Sequence, residues 1–401
     1  MFDRRRMLQS LSGLAIGATA SSRAVKAAEQ AVLPFANGDR PLVQYPGKRP
    51  LIVLTSRPPQ LETPFSVFND GLLTPNDAFF VRYHLADIPL EIDPDAHRIK
   101  IEGKVDTPLS LSIADLKTGF EPVELVAAHQ CSGNSRGFFE PRVAGGQLGN
   151  GAMGNARWKG VPLKAVLDKA GVQKSAVQVS FSGLDGPVLS TTPKFVKALD
   201  IDHARDGEVM IAYAMNGEDL PWLNGFPVRL VVPGYYGTYW MKHLNEITVL
   251  DKVFDGFWMK TAYRVPANPC ACTEPGKPPA ATTQIGRFNV RSFITSHLDG
   301  ATVKADSDLA LRGIAFDGGE GISDVLVSWD GGRSWQGATL GENLGKYSFR
   351  EWKTTLRLPK GQHELKVRAI NSIGQSQPDK PLWNPPGYMR NVVETTRVTS
   401  A

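Results

Sequence analysis

Glycine and proline interrupt this chain so often that long helices have little room: 39 Gly and 29 Pro fall among 401 residues. Proline removes a backbone donor and fixes φ, while glycine favours turns, so the chain reads as many short strands joined by tight loops. The length allows two or three domains with ample core. A composition of 42% hydrophobic and 21% charged residues is that of a globular protein, not a disordered one. Ile99-Lys100-Ile101-Glu102 alternates as a strand, and Leu163 to Ala170 has helical spacing closed by Gly171. Phe226 to Val232 is an apolar strand stopped by Pro233-Gly234. Val325 to Trp329 runs into Asp330-Gly331-Gly332, a hairpin signal, with Arg333-Ser334-Trp335 beginning the return. Leu365, Val367 and Ala369 alternate with Lys366 and Arg368, one face buried and one wet. The expected class is mixed α+β, rich in β, ending in an immunoglobulin-like β-sandwich without the paired cysteines of antibody domains.

The net charge is +5, from 45 Lys+Arg against 40 Asp+Glu. Nucleic acid as a partner would need that surplus clustered on the folded surface. Instead, most of it sits in residues 1–27, where Arg4, Arg5, Arg6, Arg23 and Lys26 face only Asp3. A basic start followed by the small apolar run Ser10 to Ala20, too short to span a bilayer, has the shape of an export signal. Arg4 to Gln9 resembles a twin-arginine signal, with cleavage after Ala20 or Ala27; a mitochondrial presequence or a frayed arm is the alternative. The expectation is export to the periplasm, already folded around a cofactor, with no nucleic acid and no membrane span. Residues 28–75, with eight prolines, read as an extended arm, 76–270 as the catalytic domain and 271–401 as the sandwich. Nothing from about 285 onward looks catalytic, so assembly is its expected role.

Three clusters carry chemistry. Phe79 to His84 reads as a strand that would project Arg82 and His84 from one face; a surface ion pair is the bland alternative. His129-Gln130-Cys131-Ser132-Gly133-Asn134-Ser135-Arg136 sets a thiol in a polar turn near guanidinium groups, where it becomes a metal ligand or a nucleophile. A cysteine hydrolase would draw its base from His84, His129 or His243. The third cluster joins Asn224 to Arg229, Trp240 to His243 and Trp258 to Arg264, basic and aromatic groups suited to an anionic cofactor. Taken singly, Arg229 and Lys242 read as solvated charges on exposed loops. Cys270 and Cys272 are closer in sequence than ordinary bridge geometry favours and read as structural.

Together FFVRYH, HQCSGNSR, NGFPVRLVVPG, YRVP, VSWDGGRSW and WNPPGYMRN resemble the sulfite oxidase family of molybdenum enzymes, most nearly its bacterial sulfite dehydrogenases. The resemblance implies a molybdopterin domain followed by an immunoglobulin-like dimerisation domain. It implies that the Cys131 thiolate binds molybdenum and that Phe80, Val81, Arg82, Tyr83 and His84 lie along the molybdopterin. Asp185, Arg229, Trp240, Met241 and Lys242 match further pterin and phosphate contacts, and Asn224 stands where animal members carry a histidine. Arg82, Arg136 and Tyr263 match the lining of an oxyanion pocket, with His84 near the metal and Trp158 at the border. The implied activity oxidises sulfite to sulfate. No C-x-x-C-H is present for a covalent haem, so the expected acceptor is an external c-type cytochrome. A homodimer is expected, with a heterodimer with the cytochrome as the other possibility. A sulfane dehydrogenase or methionine sulfoxide reductase would share this fold. A cofactor-free binding module is the reading from a different class.

Overall fold

The computed structural model describes residues 30–33 and 38–401, so the expected export signal at 1–27 lies outside the described residues. Within 28–75, expected as an extended arm, the described residues include four strands. Gln30–Ala31, Arg40–Val43, Leu51–Ser56 and Pro59–Glu62 make an antiparallel meander that ends on Val81–Arg82. Pro46 and Pro58 fall in turns and Pro59 opens its strand, where a missing N–H costs no ladder bond. Leu51, Leu61, Val81 and Tyr83 give this sheet a small core of its own. Within 79–84 only Val81–Arg82 pairs as strand; Phe79 O and Phe80 O accept from the Lys48 and Asn224 side chains, and Tyr83 N–H donates to Pro59 O.

Two further sheets build the body. One orders Val196–Asp200, Gln178–Gly183, Leu244–Leu250, Ile99–Gly103 and Leu109–Leu111, with a parallel pair between Leu244–Leu250 and Ile99–Gly103. The other orders Glu218–Asp219, Met210–Met215, Met153–Pro162 and Val123–Gln130, with Arg229–Val231 also on Met210–Met215. Helices are short, as the glycine and proline spacing dictates. Ile113–Gly119 starts on a reciprocal Ser112–Asp115 capping box, and Leu163–Ala170 ends on Gly171 at φ 72°. The apolar strand expected over 226–232 narrows to Arg229–Val231.

The C-terminal region is a β-sandwich. Arg291–Ile294, Asp308–Phe316, Arg350–Arg357 and Thr339–Leu340 form one sheet. Ala301–Val303, Thr395–Ser400, Gly361–Asn371, Ile322–Ser328 and Gln336–Gly337 form the other. Leu365, Val367 and Ala369 face the enclosed core as their alternation requires. The hairpin return starts later than expected, at Gln336, because Asp330 Oδ1 accepts the Arg333 and Ser334 N–H groups and holds both residues in the turn.

Phe293, Ile314, Phe316 and Phe349 of the sandwich pack into the main core with Phe68, so the two regions share apolar contacts. Cys270 and Cys272 form a disulfide, contrary to the sequence expectation. Ala271 sits at φ 48°, and this left-handed turn brings the two Cα atoms to 5.1 Å, within ordinary bridging range. Among the described residues no helix is long and apolar enough to cross a membrane.

Candidate active site

The strand Val123–Gln130 is buried from Val126 onward and delivers Cys131 at its end. The turn that follows is tied at every step. Cys131 N–H donates to Ala152 O (2.9 Å), Asn134 Oδ1 accepts from Ala152 N–H (3.0 Å), and Ser135 holds φ 70°. Ser135 Oγ donates to Asn150 Oδ1 and accepts from buried Arg291, which also pairs with Glu394 at 3.0 Å. Beneath, buried Glu62 accepts the N–H groups of Gly149 (2.7 Å) and Gly151 (3.3 Å). Burial raises the Glu62 carboxyl to about 7 despite those two bonds. Cys131 is therefore a free thiol on a preorganised turn.

That thiol opens into a cleft. Phe80, Arg82, Tyr83 and His84 line it from the N-terminal sheet; Asp185, Asn224, Arg229, Trp240, Met241, Lys242 and Tyr263 complete most of the rest. Residues up to 183 positions apart in the sequence thus meet around one space. Val81 does not take part: strand alternation turns it away into the small core with Leu51 and Leu61. Trp158 does not border the cleft either. It is fully buried behind Trp240, ring centroids 5.5 Å apart, and its Nε1–H donates to Ala127 O. Arg136 stands behind the wall, its Nε–H donating to Pro386 O (3.1 Å) and its guanidinium 4.8 Å from the Tyr388 ring.

The charges are the informative feature. Arg229, expected as a solvated loop residue, is 1% exposed on a strand between Trp158 and Trp240. It donates to Asn224 O (2.9 Å) and Trp240 O (3.1 Å), no carboxylate among the described residues pairs with it, and burial lowers it to about 9. Lys242, also expected in solvent, places Nζ 3.5 Å over the Tyr83 ring and donates to Arg82 O. Burial first, then Arg229, holds Lys242 well below an ordinary lysine, with Asp185 opposing. Asp185 is itself raised by burial, with Lys242 working against that shift. Asn224 is buried and donates to Phe80 O, while its Oδ1 accepts from Lys48 Nζ at 2.5 Å. Burial pulls Lys48 down to about 7.

On the other side His84 stacks on Phe195 at 3.7 Å, and its Nε2 meets the Tyr263 hydroxyl at 2.5 Å. Burial, then Arg82, keeps His84 neutral, and burial raises Tyr263 so that its phenol stays protonated. Tyr388 stacks on Tyr263 at 5.4 Å, so the sandwich region, expected only to assemble, helps to position Arg136 and Tyr263. The imidazoles do not fit the hydrolase reading. His84 is committed to Tyr263, while His243 is committed to the Tyr83 hydroxyl and Phe226 O and is driven down to about 3. His129 lies flat on Trp240 at 4.5 Å.

Sequence reasoning missed Lys48, Lys197 and Tyr388. Lys197 is fully buried, donates to Trp258 O (2.8 Å), lies 5.4 Å from the Tyr263 ring and is lowered to about 7 by burial. Its signal was present: it occupies the period-two position between Phe195 and Leu199, where an apolar residue belongs.

Arg229 Nε, His129 Nδ1 and Thr238 Oγ1 are buried at this cleft without a hydrogen-bond partner. Unpaired buried donors and a surplus of cations cost stability unless an anion with several acceptors joins them. Among the described residues no group of three or more His, Cys, Asp and Glu is placed to hold a metal. A metal bound through Cys131 must arrive already chelated by its own anionic cofactor, and the cleft fits such a group.

Comparisons with known proteins agree. The model of an oxidoreductase molybdopterin binding domain matches residues 84–258, and that of a Mo-co oxidoreductase dimerisation domain matches residues 282–400. Mitochondrial sulfite oxidase of Homo sapiens is 34% identical over 380 residues, covering 90% of this chain and 68% of that protein. Sulfite oxidase of Gallus gallus is 32% identical over 386 residues, covering 92% and 80%. The crystal structure of the sulfane dehydrogenase SoxCD from Paracoccus pantotrophus shares the fold, with TM-score 0.71 at 23% identity, covering 96% of this chain and 92% of that one.

Proposed function

The chain belongs to the sulfite oxidase family of molybdopterin oxidoreductases, and on that premise we propose that it oxidises sulfite to sulfate and passes the electrons one at a time to an external c-type cytochrome. The observation that carries this reading is the buried cationic cleft around a single free thiol: Arg82, Arg229 and Lys242 against Asp185 alone. When bound, the molybdenum–molybdopterin group supplies the two-electron redox chemistry and the oxygen transfer. The chain supplies the rest. Cys131 offers one soft donor, held rigid by its turn. Arg229, Lys242 and the unpartnered Thr238 hydroxyl face the space an anionic cofactor needs, and Phe80 and Trp240 exclude water from it.

Arg82 is the guanidinium on the cleft wall suited to a small dianion such as sulfite, by charge-assisted bonding. Tyr263, protonated and aimed by neutral His84, donates to the bound oxyanion. Arg136 acts at one remove, through Tyr388. Oxidation of sulfite with water releases two protons and two electrons, and a cytochrome haem accepts one electron at each visit. The twin-arginine-like start supports a periplasmic location, and the dimerisation-domain match supports a homodimer, to be checked by mass in solution.

Metal analysis of protein purified from its own export pathway tests the cofactor. About one molybdenum per chain is expected, and Cys131→Ser should hold it without sulfite turnover. A clean zero in the unaltered protein, or full activity in Cys131→Ser, would overturn the assignment. Full molybdenum with turnover on a sulfane substrate but none on sulfite would move the chain to the other chemistry of this fold.

A further inference from the structure

Large apolar side chains are rarely gathered on a soluble surface without a use, and this surface gathers them at the cleft mouth. Leu184, Val188 and Leu189 are 37%, 57% and 63% exposed, and Asp185 in the same loop lines the cleft. Asp87 and Gly186 exchange backbone bonds of 3.1 and 2.7 Å, which fastens the loop carrying Leu90, 97% exposed, alongside. At the far end Trp258 Nε1–H donates to Pro193 O, and Phe257, 42% exposed, packs edge-on against Trp258. Trp258 and Phe195 both touch the His84 ring on the cleft wall.

At the far end of this rim the exposed Lys194 and Lys260 are paired with Glu246 (2.8 Å) and Asp255 (3.9 Å), so the unpaired carboxylates lie on the Asp87 side. Asp87, Glu91, Asp93 and Asp95 are exposed, form no ion pair among the described residues, and face a single base in their segment, Arg98. The rim lies within the molybdopterin-binding match and away from residues 282–400, where the dimerisation match falls.

We propose that this rim is the landing surface of the electron acceptor, a small haem protein whose exposed apolar cofactor edge is ringed by lysines. The inference rests on the sulfite-oxidising reading and gives it a place. An apolar centre beside the cleft lets the two redox groups approach closely, and the acidic loop steers a basic partner onto it. Electron-transfer encounters bury little area, so a rim of five or six side chains is large enough.

Two double variants of the holoenzyme test it, Val188→Lys with Leu189→Lys and Glu91→Lys with Asp93→Lys. Both are assayed with sulfite and either a basic c-type cytochrome or ferricyanide. The kcat/KM for the cytochrome should fall about tenfold in each, and the fall of the cytochrome rate with added salt should flatten in the second. Turnover with ferricyanide should not fall, since a small acceptor needs no landing surface. Unchanged cytochrome kinetics in both variants would overturn the proposal. An unaltered protein that reduces neither acceptor would instead overturn the sulfite reading, and the rim with it. A dimer that becomes monomeric on Val188→Lys with Leu189→Lys would show that a second copy covers the rim, which also overturns it.

Discussion

Arg229 and Tyr263 show how single residues acquire their chemistry from burial. A guanidinium that is 1% exposed, with no carboxylate among the described residues paired with it, is poised for an anion. A phenol kept protonated by burial and set 2.5 Å from His84 Nε2 can donate to an oxyanion in the tautomer where the imidazole N–H donates to it. Replacing Tyr263 by Phe keeps the ring stacked on Tyr388 and removes only that donor. Sulfite kcat/KM should fall about a hundredfold with molybdenum content unchanged, read by steady-state kinetics beside metal analysis. Loss of molybdenum in that variant would make Tyr263 a cofactor anchor instead. None of this burial is legible locally. Arg229 and Lys242 look like loop cations because the strands that cover them come from elsewhere in the chain. Likewise the resemblance puts Trp240 on the pterin and Trp158 at the pocket border, and only packing sends Trp158 behind Trp240.

At the scale of elements the cleft depends on close approach and on a held turn. A Cβ on Gly237 would lie 2.5 Å from His129 Nε2 and 3.1 Å from Gln130 O, so Gly237→Ala must push the His129–Trp240 stack apart. A loss of about 1–3 kcal/mol in denaturant unfolding and a lowered molybdenum content are expected. Glu62 supports the Cys131 turn, and its carboxyl is raised from 4.5 to about 7. The folded state therefore holds that proton more tightly than the unfolded chain. Its contribution is fully present below pH 4.5 and is lost as pH rises through about 7. Relative to Glu62→Gln, the parent should lose about 3 kcal/mol across that window, measured by denaturant titration at several pH values. Parallel pH profiles would contradict it.

Elements with local causes were legible. Leu163–Ala170 carries its own spacing and its own terminating Gly171, and Leu365 to Ala369 alternates against one core. The Phe79–His84 segment was legible as chemistry but not as structure, since a strand's length is set by its neighbours and only Val81–Arg82 finds one. The meander over Gln30 to Glu62 was hidden for the same reason: its prolines suggest an arm, and only the partner strands show a sheet.

Across the whole molecule the two regions work as one. Arg291 in the sandwich donates to Ser135 in the Cys131 turn, Met389 N–H donates to Ser132 O at 3.1 Å, and Tyr388 stands between Arg136 and Tyr263. The family motif near the C-terminus thus marks a wall support as well as an assembly region, which residue types alone did not disclose. Stoichiometric addition of sulfite to molybdenum-loaded protein in excess oxidised cytochrome c decides most directly whether this cleft is a sulfite-oxidising site. Two cytochromes reduced per sulfite, with sulfate formed, is the expected result. No reduction by protein carrying its full molybdenum would contradict it.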